Sequence, residues 1–294
     1  MSDYRALIAN CLMLGERFGI VGGKKYLNLI NLSLDKFDVE LEENPDIVSS
    51  NFGDFKGIAL HTTNLHIKNL TSTQFEDVEL VATEVAELMS LATCSSVQKC
   101  GYNFEGKGSL EPVIGQVQYF RPSIDTHRGA LVRSFLEKTW PAYHQVRNDR
   151  KLNVAFQYYV LSQQNELPME LLLVISFVLL ENLKHNFALY QGYPYLKGYF
   201  RLKGATTSKP GQKKTFEELL EEMFQQVGMT PTLASIIQLR NELIHSGIST
   251  LDTSTQTAIY DKCQDIIREY LLKFLGYTGQ YYPYSSPNRP SIIS

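Results

Sequence analysis

The chain has 294 residues, of which 44% are hydrophobic and 20% are charged, and its formal net charge is -3. This composition is that of a globular protein, and it excludes a collagenous, low-complexity or strongly basic chain. Because the chain has no overall positive charge, any contact with nucleic acid must rest on a local basic patch.

The four cysteines include no CxxC pair: Cys11, Cys94, Cys100 and Cys263. In a chain of this length, such spacing does not indicate a disulfide framework, and it offers too few neighbouring ligands for a zinc site. We therefore expect reduced thiols in a reducing cytoplasm, with no metal and no cofactor.

The N-terminal segment carries Asp3 and Arg5 and only a short apolar stretch, which is not the pattern of a signal peptide. The longest apolar run, from Met169 to Leu180, is interrupted by polar residues. It is shorter than the ~20 residues that a membrane-spanning helix needs. The run predicts a buried core helix in a cytoplasmic protein without a membrane partner.

Residues 1–122 mix strand and helix patterns. Alternation of apolar and polar side chains predicts strands over residues 26–34, 37–41, 57–67 and 113–120, and a 3.6-residue period predicts a helix over residues 78–92. Pro122 closes the region. These patterns together indicate an α+β domain. Its role is unknown, because it shows no nucleotide-binding loop and no Ser/His/Asp arrangement.

Residues 123–277 carry helical patterns, which predict helices over residues 128–146, 152–161, 168–190, 215–227, 230–246 and 253–275. Thr215 and Glu218 form a capping-box pattern at the start of one of them. The predicted fold class is therefore an α+β N-terminal domain followed by an all-α helical bundle. Residues 278–294, rich in Tyr, Pro and Ser, are expected to form a loosely ordered tail.

The helix predicted after Thr230 places a charge among apolar positions. At about 100° per residue, with Leu233 at about 0°, Arg240 falls near 340°. Asn241 and His245 fall near 80° and 120°, together on one flank. Arg240 therefore lies in the middle of a predicted core-facing stripe, formed by Leu233, Ile236, Ile237, Leu243 and Ile244.

A charge directed at a core needs a partner, since an unpaired buried ion is costly. The apolar helix over residues 168–190 carries Glu181 at the end of its apolar run. We expect Glu181 to face Arg240 across the helix pair.

The run from Arg240 to His245 reads RNxxxH. This resembles the signature of the HEPN superfamily, and within it the ApeA-like proteins, which place a less regular region before a helical domain. The resemblance covers roughly residues 128–276. It implies a metal-independent endoribonuclease, with a role in phage defence or as a toxin by fold-level analogy. It also implies a symmetric homodimer whose two motifs face one cleft, because this chain holds a single motif.

The chemistry of RNA cleavage suits these residues. The 2′-hydroxyl of RNA is the nucleophile, so cleavage to a 2′,3′-cyclic phosphate needs a base, an acid and positive charge on the phosphate. His245 is predicted as the general acid/base and Arg240 as the transition-state stabiliser. Asn241 would orient the imidazole or the phosphate, and Glu181 would fix the guanidinium. The alternative is a structural Glu181–Arg240 pair, with His245 as an ordinary cation near a helix end.

A basic segment joins two of the predicted helices and contains no acid between residues 197 and 214. Aromatic residues lie before and within it, so it is predicted to follow an RNA backbone and stack bases. The alternative is a solvated connector. Its candidate substrate-binding residues are Lys197, Arg201, Lys203, Lys209, Lys213 and Lys214.

The sequence thus predicts an RNA-cleaving enzyme. Two alternatives remain open: a non-catalytic scaffold or nucleotide- or RNA-binding module, and an interaction protein without a nucleic-acid ligand.

Overall fold

A computed structural model describes residues 2–118, 120–164 and 166–294. The chain divides into two compact units, Met1–His144 with Leu275–Ser294 (unit 1) and Gln145–Phe274 (unit 2). The C-terminal residues therefore belong to the same unit as the N-terminal ones, whereas the sequence predicts divisions after residues 122 and 277.

Unit 1 is built on a seven-stranded sheet in which every pairing is antiparallel. The order across the sheet is β2-β3-β4-β5-β1-β6-β7, so the first strand is paired on both edges. In chain order the strands are Ser2–Ala9 (β1), Arg17–Val21 (β2), Lys24–Leu34 (β3), Phe37–Glu43 (β4), His61–Leu70 (β5), Gln98–Phe104 (β6) and Lys107–Leu110 (β7).

One face of this sheet carries the core of unit 1. A short helix, Pro45–Val48 (α1), follows β4, and the longer Phe75–Thr93 (α2) packs against β1, β5 and β6. Alternate strand residues such as Tyr4, Leu32 and Leu65 are buried. Each such burial contributes about 1.5–3 kcal/mol by removing apolar area from water.

The remaining helices are Gly129–Val146 (α3), Leu152–Leu161 (α4), Met169–Tyr190 (α5), Phe216–Gln225 (α6), Ala234–Ser246 (α7) and Thr253–Phe274 (α8). In unit 2, α5 contacts α4, α6, α7 and α8, so it is the central helix. By length and composition alone, α5 is also the one described helix that could cross a membrane. A buried core helix meets the same criterion, and 56% of its most apolar window is buried inside the protein.

Unit 2 is not purely helical. Between α5 and α6 the chain forms a two-stranded sheet of Tyr195–Leu196 (β8) and Tyr199–Phe200 (β9), followed by an antiparallel bridge from Arg201 to Lys213. The expectation of an α+β domain followed by an all-α helical bundle is therefore wrong, and the protein has a mixed α/β fold. The local reason is a two-residue hairpin turn, in which Lys197 and Gly198 take positive φ angles of 52° and 79°.

Two arginines are buried inside unit 2. Arg268 donates from Nε to the hydroxyl of Tyr159 over 2.6 Å and from Nη2 to Oε1 of Gln163 over 3.1 Å. Arg150 donates from Nη2 to the Tyr270 hydroxyl over 3.0 Å, and its Cζ lies 4.5 Å from the centre of the Phe274 ring. Its Nε and Nη1 have no hydrogen-bond partner among the described residues. Aromatic faces therefore provide much of the compensation for this buried cation.

The C-terminal tail is packed rather than loosely ordered. Gly279–Tyr281 (β10) and Ser291–Ile293 (β11) pair antiparallel, and the backbone N–H of Tyr282 donates to the carbonyl of Ser123 over 2.9 Å. Tyr281 and Tyr284 are buried, as is Ile293. Tyr281 and Tyr284, which the sequence assigned to a loosely ordered tail, instead bury apolar area that packs the tail against the rest of unit 1.

Several predicted elements in unit 1 are confirmed, with different ends. The strands over residues 26–34 and 37–41 correspond to β3 and β4, and the helix over residues 78–92 corresponds to α2. The strand expected from residue 57 begins only at His61. The strand expected over residues 113–120 is wrong for its described part, since residues 113–118 form none.

A carboxyl group is buried at the end of β4. Glu43 has no exposed surface, and it shares a short hydrogen bond with the hydroxyl of Thr63. The same hydroxyl lies 3.1 Å from the carbonyl oxygen of Cys11. The Thr63 hydroxyl has only one proton, which it donates to the Cys11 carbonyl. The hydrogen bond between Thr63 and Glu43 therefore needs a proton from a neutral Glu43 carboxyl group. Burial raises the pKa of Glu43 well above its usual value, and this outweighs the hydrogen bonds by which Thr63 and the Met13 N–H would favour an ionised carboxylate.

We expect Glu43→Gln to make the protein more stable than the wild type at neutral pH. Above the ordinary Glu pKa of about 4.3, the unfolded chain releases this proton while the folded protein keeps it. Wild-type stability therefore falls by up to about 1.4 kcal/mol per pH unit until the raised folded-state pKa is reached, and the amide variant lacks this decline. Urea unfolding of both proteins between pH 4 and 8 measures the difference.

The control is Glu40→Gln, since Glu40 lies on the same strand but its side chain is 32% exposed. This variant should follow the wild-type pH profile. Parallel profiles for Glu43→Gln and the wild type would show that Glu43 is ionised in the folded protein.

Candidate functional site

The candidate site lies on α7, whose buried side differs from the one predicted. The buried residues of this helix are Ile236, Leu239 and Leu243, which centre its core-facing stripe near 275° on the angular scale used above. Arg240, near 340°, is therefore at the edge of the stripe and not in its middle. Ile244, expected in the core, is 47% exposed. The error comes from including Ile237, which is partly buried, and Ile244 in the stripe and from leaving out Leu239, which is fully buried.

Arg240 is held by three neighbours. Its Nη2 lies 2.5 Å from Oε1 of Glu181, its Nη1 donates to Oδ1 of Asn241 over 2.9 Å, and its Cζ lies 4.8 Å from the centre of the Phe216 ring. The pair predicted between Glu181 and Arg240 is thus formed. The side chain of Arg240 remains 23% exposed, so the guanidinium lies at the surface of the unit.

Glu181 serves a second cation. Its Oε2 lies 2.6 Å from Nζ of Lys184, and that nitrogen lies 5.0 Å from the centre of the Phe216 ring. The side chain of Glu181 is 36% exposed, so it is not a core carboxylate as the sequence suggested. We refer to Glu181, Lys184, Phe216 and Arg240 as the Glu181 cluster. Lys184 and Phe216 were missed by sequence reasoning, although Lys184 lies one turn after Glu181 on the same helix face.

His245 is exposed near the C-terminal end of α7, and no hydrogen bond joins it to the described part of the chain. Gly247 ends the helix with φ of 72°, and its N–H donates to the carbonyl of Leu243 over 2.9 Å. Asn241 is exposed one turn before His245, so their Cβ atoms are about 5–6 Å apart. An imidazole and a carboxamide are thus presented together to solvent, with Arg240 about 140° around the helix from His245.

The basic segment does not present all six cations. Lys197, Lys203, Lys209 and Lys213 are exposed. Arg201, by contrast, is only 7% exposed and donates from Nη1 to the carbonyl of Gly211 over 3.0 Å.

Lys214 is engaged in an ion pair with Glu222. Two of the candidate substrate-binding residues, Arg201 and Lys214, therefore have partners within the protein.

Aromatic rings lie among the exposed lysines. Nζ of Lys213 is 3.6 Å from the centre of the Tyr199 ring, and Nζ of Lys203 is 5.4 Å from that of Tyr193. Tyr195 and Tyr199 are 52% and 49% exposed. The segment thus forms a surface of cations and tyrosines, the composition that suits a single-stranded nucleic acid.

A cleft of about 670 Å³ lies elsewhere, in unit 1, and its lining includes Lys36, His66, Lys68 and Glu137. Its charged groups already have partners. Nζ of Lys36 is 2.7 Å from Oδ2 of Asp77, and Glu137 accepts from the backbone N–H of Ser33 over 3.2 Å. None of the candidate site residues lines this cleft.

Within residues 2–118, 120–164 and 166–294, no group of three or more His, Cys, Asp or Glu side chains is placed to hold a metal ion. The four cysteines are free and buried. No protein-family model matches the chain, and neither a curated protein nor a solved structure matches it significantly.

We expect Arg240→Ala to lower the free energy of unfolding by only about 1 kcal/mol, because exposed pairs are weak and screened by solvent. Glu181 then keeps Lys184 as its partner. Removing both cations strands the carboxylate, so Arg240→Ala with Lys184→Ala should cost about 0.5 kcal/mol or more beyond the sum of the single changes. Urea unfolding of the four proteins measures this coupling.

The matched control is Lys273→Ala, which removes a cation paired with Glu269 on α8, outside the Glu181 cluster. Its effect should add to that of Arg240→Ala. Additive effects for Lys184 as well would mean that the two cations do not share Glu181.

Proposed function

We propose that the protein is a metal-independent endoribonuclease whose active residues lie on α7. The observation that supports this most directly is the joint exposure of Asn241 and His245 on one flank of α7, together with the contact of Asn241 with Arg240, an arginine held at the edge of the core. The RNxxxH pattern, with its resemblance to the HEPN superfamily, points to the same chemistry.

In the proposed reaction, the ribose 2′-oxygen attacks the adjacent phosphorus, and the bond from phosphorus to the 5′-oxygen breaks. A base removes the 2′-hydroxyl proton and an acid protonates the leaving 5′-oxygen, which gives a 2′,3′-cyclic phosphate and a 5′-hydroxyl. His245 serves as the general acid/base. Arg240 stabilises the charge that develops on the phosphate, and Asn241 orients the imidazole or the phosphate.

The Glu181 cluster explains how Arg240 can meet a phosphate although it already has a carboxylate partner. A phosphate that approaches Arg240 competes with Glu181 for the guanidinium. Because Lys184 holds the other carboxylate oxygen at 2.6 Å, Glu181 stays neutralised when Arg240 turns to the substrate. Lys184 thus lowers the electrostatic cost of binding.

The exposed lysines of the basic segment are proposed to bind the RNA backbone, and the tyrosines among them to stack bases. Lys197, Lys203, Lys209 and Lys213 carry this role. Arg201 and Lys214 instead shape the segment through their internal partners.

A non-catalytic RNA-binding module is the second candidate. It is favoured by the contacts of Arg240, whose Nη atoms are both engaged, by Glu181 and Asn241. In this case the ion pair between Glu181 and Arg240 would only fix α7 against α5, and His245 would be an ordinary surface residue.

We expect the purified protein to cut total RNA in the presence of a chelator and to leave 2′,3′-cyclic phosphate ends. His245→Ala should reduce the rate by about 10²–10⁴-fold, the contribution of one general acid or base. Because His245 is exposed, the variant should unfold at the same urea concentration as the wild type. The matched control is His66→Ala, which removes a partly exposed histidine of unit 1 and should cut at the wild-type rate.

A variant with Lys203→Glu and Lys209→Glu separates binding from chemistry, since it should raise KM and leave kcat nearly unchanged. RNA that is bound but never cut by the wild type would favour the second candidate. Equal cutting by the wild type and His245→Ala would remove His245 from the mechanism.

We also propose that the active form is a homodimer in which α7 faces its copy, since one chain supplies a single histidine to a reaction that needs both a base and an acid. Ile244 and Ile248, 47% and 71% exposed beside the motif, would be covered by this contact.

Light scattering should therefore give twice the 33.4 kDa of one chain. Ile248→Asp should yield a monomer with little activity, because a carboxylate would be buried in the interface. Ile292→Asp is the control, as Ile292 is 77% exposed in unit 1 and should leave the dimer intact. A monomeric wild type that still cuts RNA would contradict the dimer.

A further inference from the structure

The β2–β3 hairpin exposes apolar side chains at one edge of the large sheet. Phe18 and Ile20 are 66% and 70% exposed. In the pairing of the two strands, Phe18 lies opposite Leu27, and Ile20 lies opposite Lys25. Residues opposite each other, and residues two apart along a strand, share a face of the sheet. We call these four side chains, Phe18, Ile20, Lys25 and Leu27, the hairpin surface.

The hairpin is also basic. Arg17, Lys24 and Lys25 are exposed, and no Asp or Glu occurs between Arg17 and Leu34. This local excess of positive charge stands out in a chain whose net charge is -3. An anionic partner therefore complements the hairpin.

The tip of the hairpin is open. Gly22 and Gly23 turn the chain with φ angles of 57° and 78°, and a Cβ atom placed on either glycine would meet no atom within 4 Å. A flat surface can therefore approach the tip and touch the lysines and the apolar side chains together.

The combination of large apolar side chains with a rim of cations suits an anionic lipid surface. Apolar groups enter the boundary between headgroups and acyl chains, while lysines and arginines remain among the headgroups. A nucleic acid fits less well, since of the two most exposed apolar side chains of the hairpin only Phe18 offers a ring on which a base can stack.

We propose that the β2–β3 hairpin binds the surface of an anionic lipid bilayer through the hairpin surface, with Lys24, next to the turn, adding positive charge at the tip. The contact is peripheral, so it needs no spanning helix. The absence of a clear spanning run, on which the expectation of no membrane partner rested, does not bear on it. The proposal concerns unit 1 alone and is independent of the ribonuclease activity.

The test is sedimentation of the full chain with phosphatidylcholine vesicles, either pure or containing about 30% phosphatidylglycerol, an anionic lipid. The wild type should bind the anionic vesicles at least about tenfold more tightly, and raised salt should weaken the binding. Phe18→Ser with Ile20→Ser, and separately Lys24→Glu with Lys25→Glu, should each reduce this binding by about tenfold or more.

Controls come from the other edge of the same sheet. Leu110→Ser removes a side chain that is 79% exposed on β7, and Lys107→Glu reverses an exposed charge there. Both should bind vesicles as the wild type does. If the apolar double variant fails to fold, the lysine pair, whose side chains are exposed, carries the test.

Equal binding to both vesicle types, or binding that the hairpin variants leave unchanged, would overturn the proposal. It would also be overturned if the hairpin variants lost single-stranded RNA binding while the wild type ignored vesicles. The same holds if the hairpin variants abolished dimerisation while the wild type ignored vesicles.

Discussion

The carboxylate of Glu181 fixes the geometry of the candidate site. It holds Arg240 at 2.5 Å and Lys184 at 2.6 Å, and both cations lie near the ring of Phe216, the first residue of α6. Three helices, α5, α6 and α7, therefore meet at one partly exposed acid. The proposed chemistry depends on this sharing, since a carboxylate paired with Arg240 alone would lose its only partner when the guanidinium turned to a phosphate.

Part of unit 1 could be predicted from local pattern, whereas no strand was predicted over β1, β2, β6 or β7, and the failures have physical causes. β3, β4 and α2 follow the alternation or the helical period of their sequences. β1 alternates too, with Tyr4, Ala6 and Ile8 buried, but its position in the middle of the sheet depends on β5 and β6. The same alternation over residues 113–118 gives no strand. Alternation shows which side chains favour burial on one face, whereas a strand also requires the free edge of a neighbouring strand with which to pair.

The candidate site was predictable in its residues and less so in its placement. Spacing along one helix connects Asn241 with His245, and the isolated Glu181 in an apolar helix points to Arg240. Which side of α7 is buried depends on its contacts with other helices. The helical angles alone therefore placed Arg240 in the middle of the buried stripe, whereas it lies at the edge. Phe216 and the hairpin of Tyr195–Phe200 could not be foreseen, because both depend on how the chain returns between α5 and α6.

The burial of Arg150 affects local unfolding in unit 2. Its guanidinium is buried beside aromatic rings at the last turns of α5 and α8, with two nitrogens lacking acceptors in the described chain. Water that enters there is favourable for the cation, whereas water entering beside aliphatic side chains is not. Hydration of the guanidinium therefore offsets part of the free energy that is needed to open those two helix ends. Amide hydrogens near Tyr190 and Phe274 should then exchange before those at the middle of either helix.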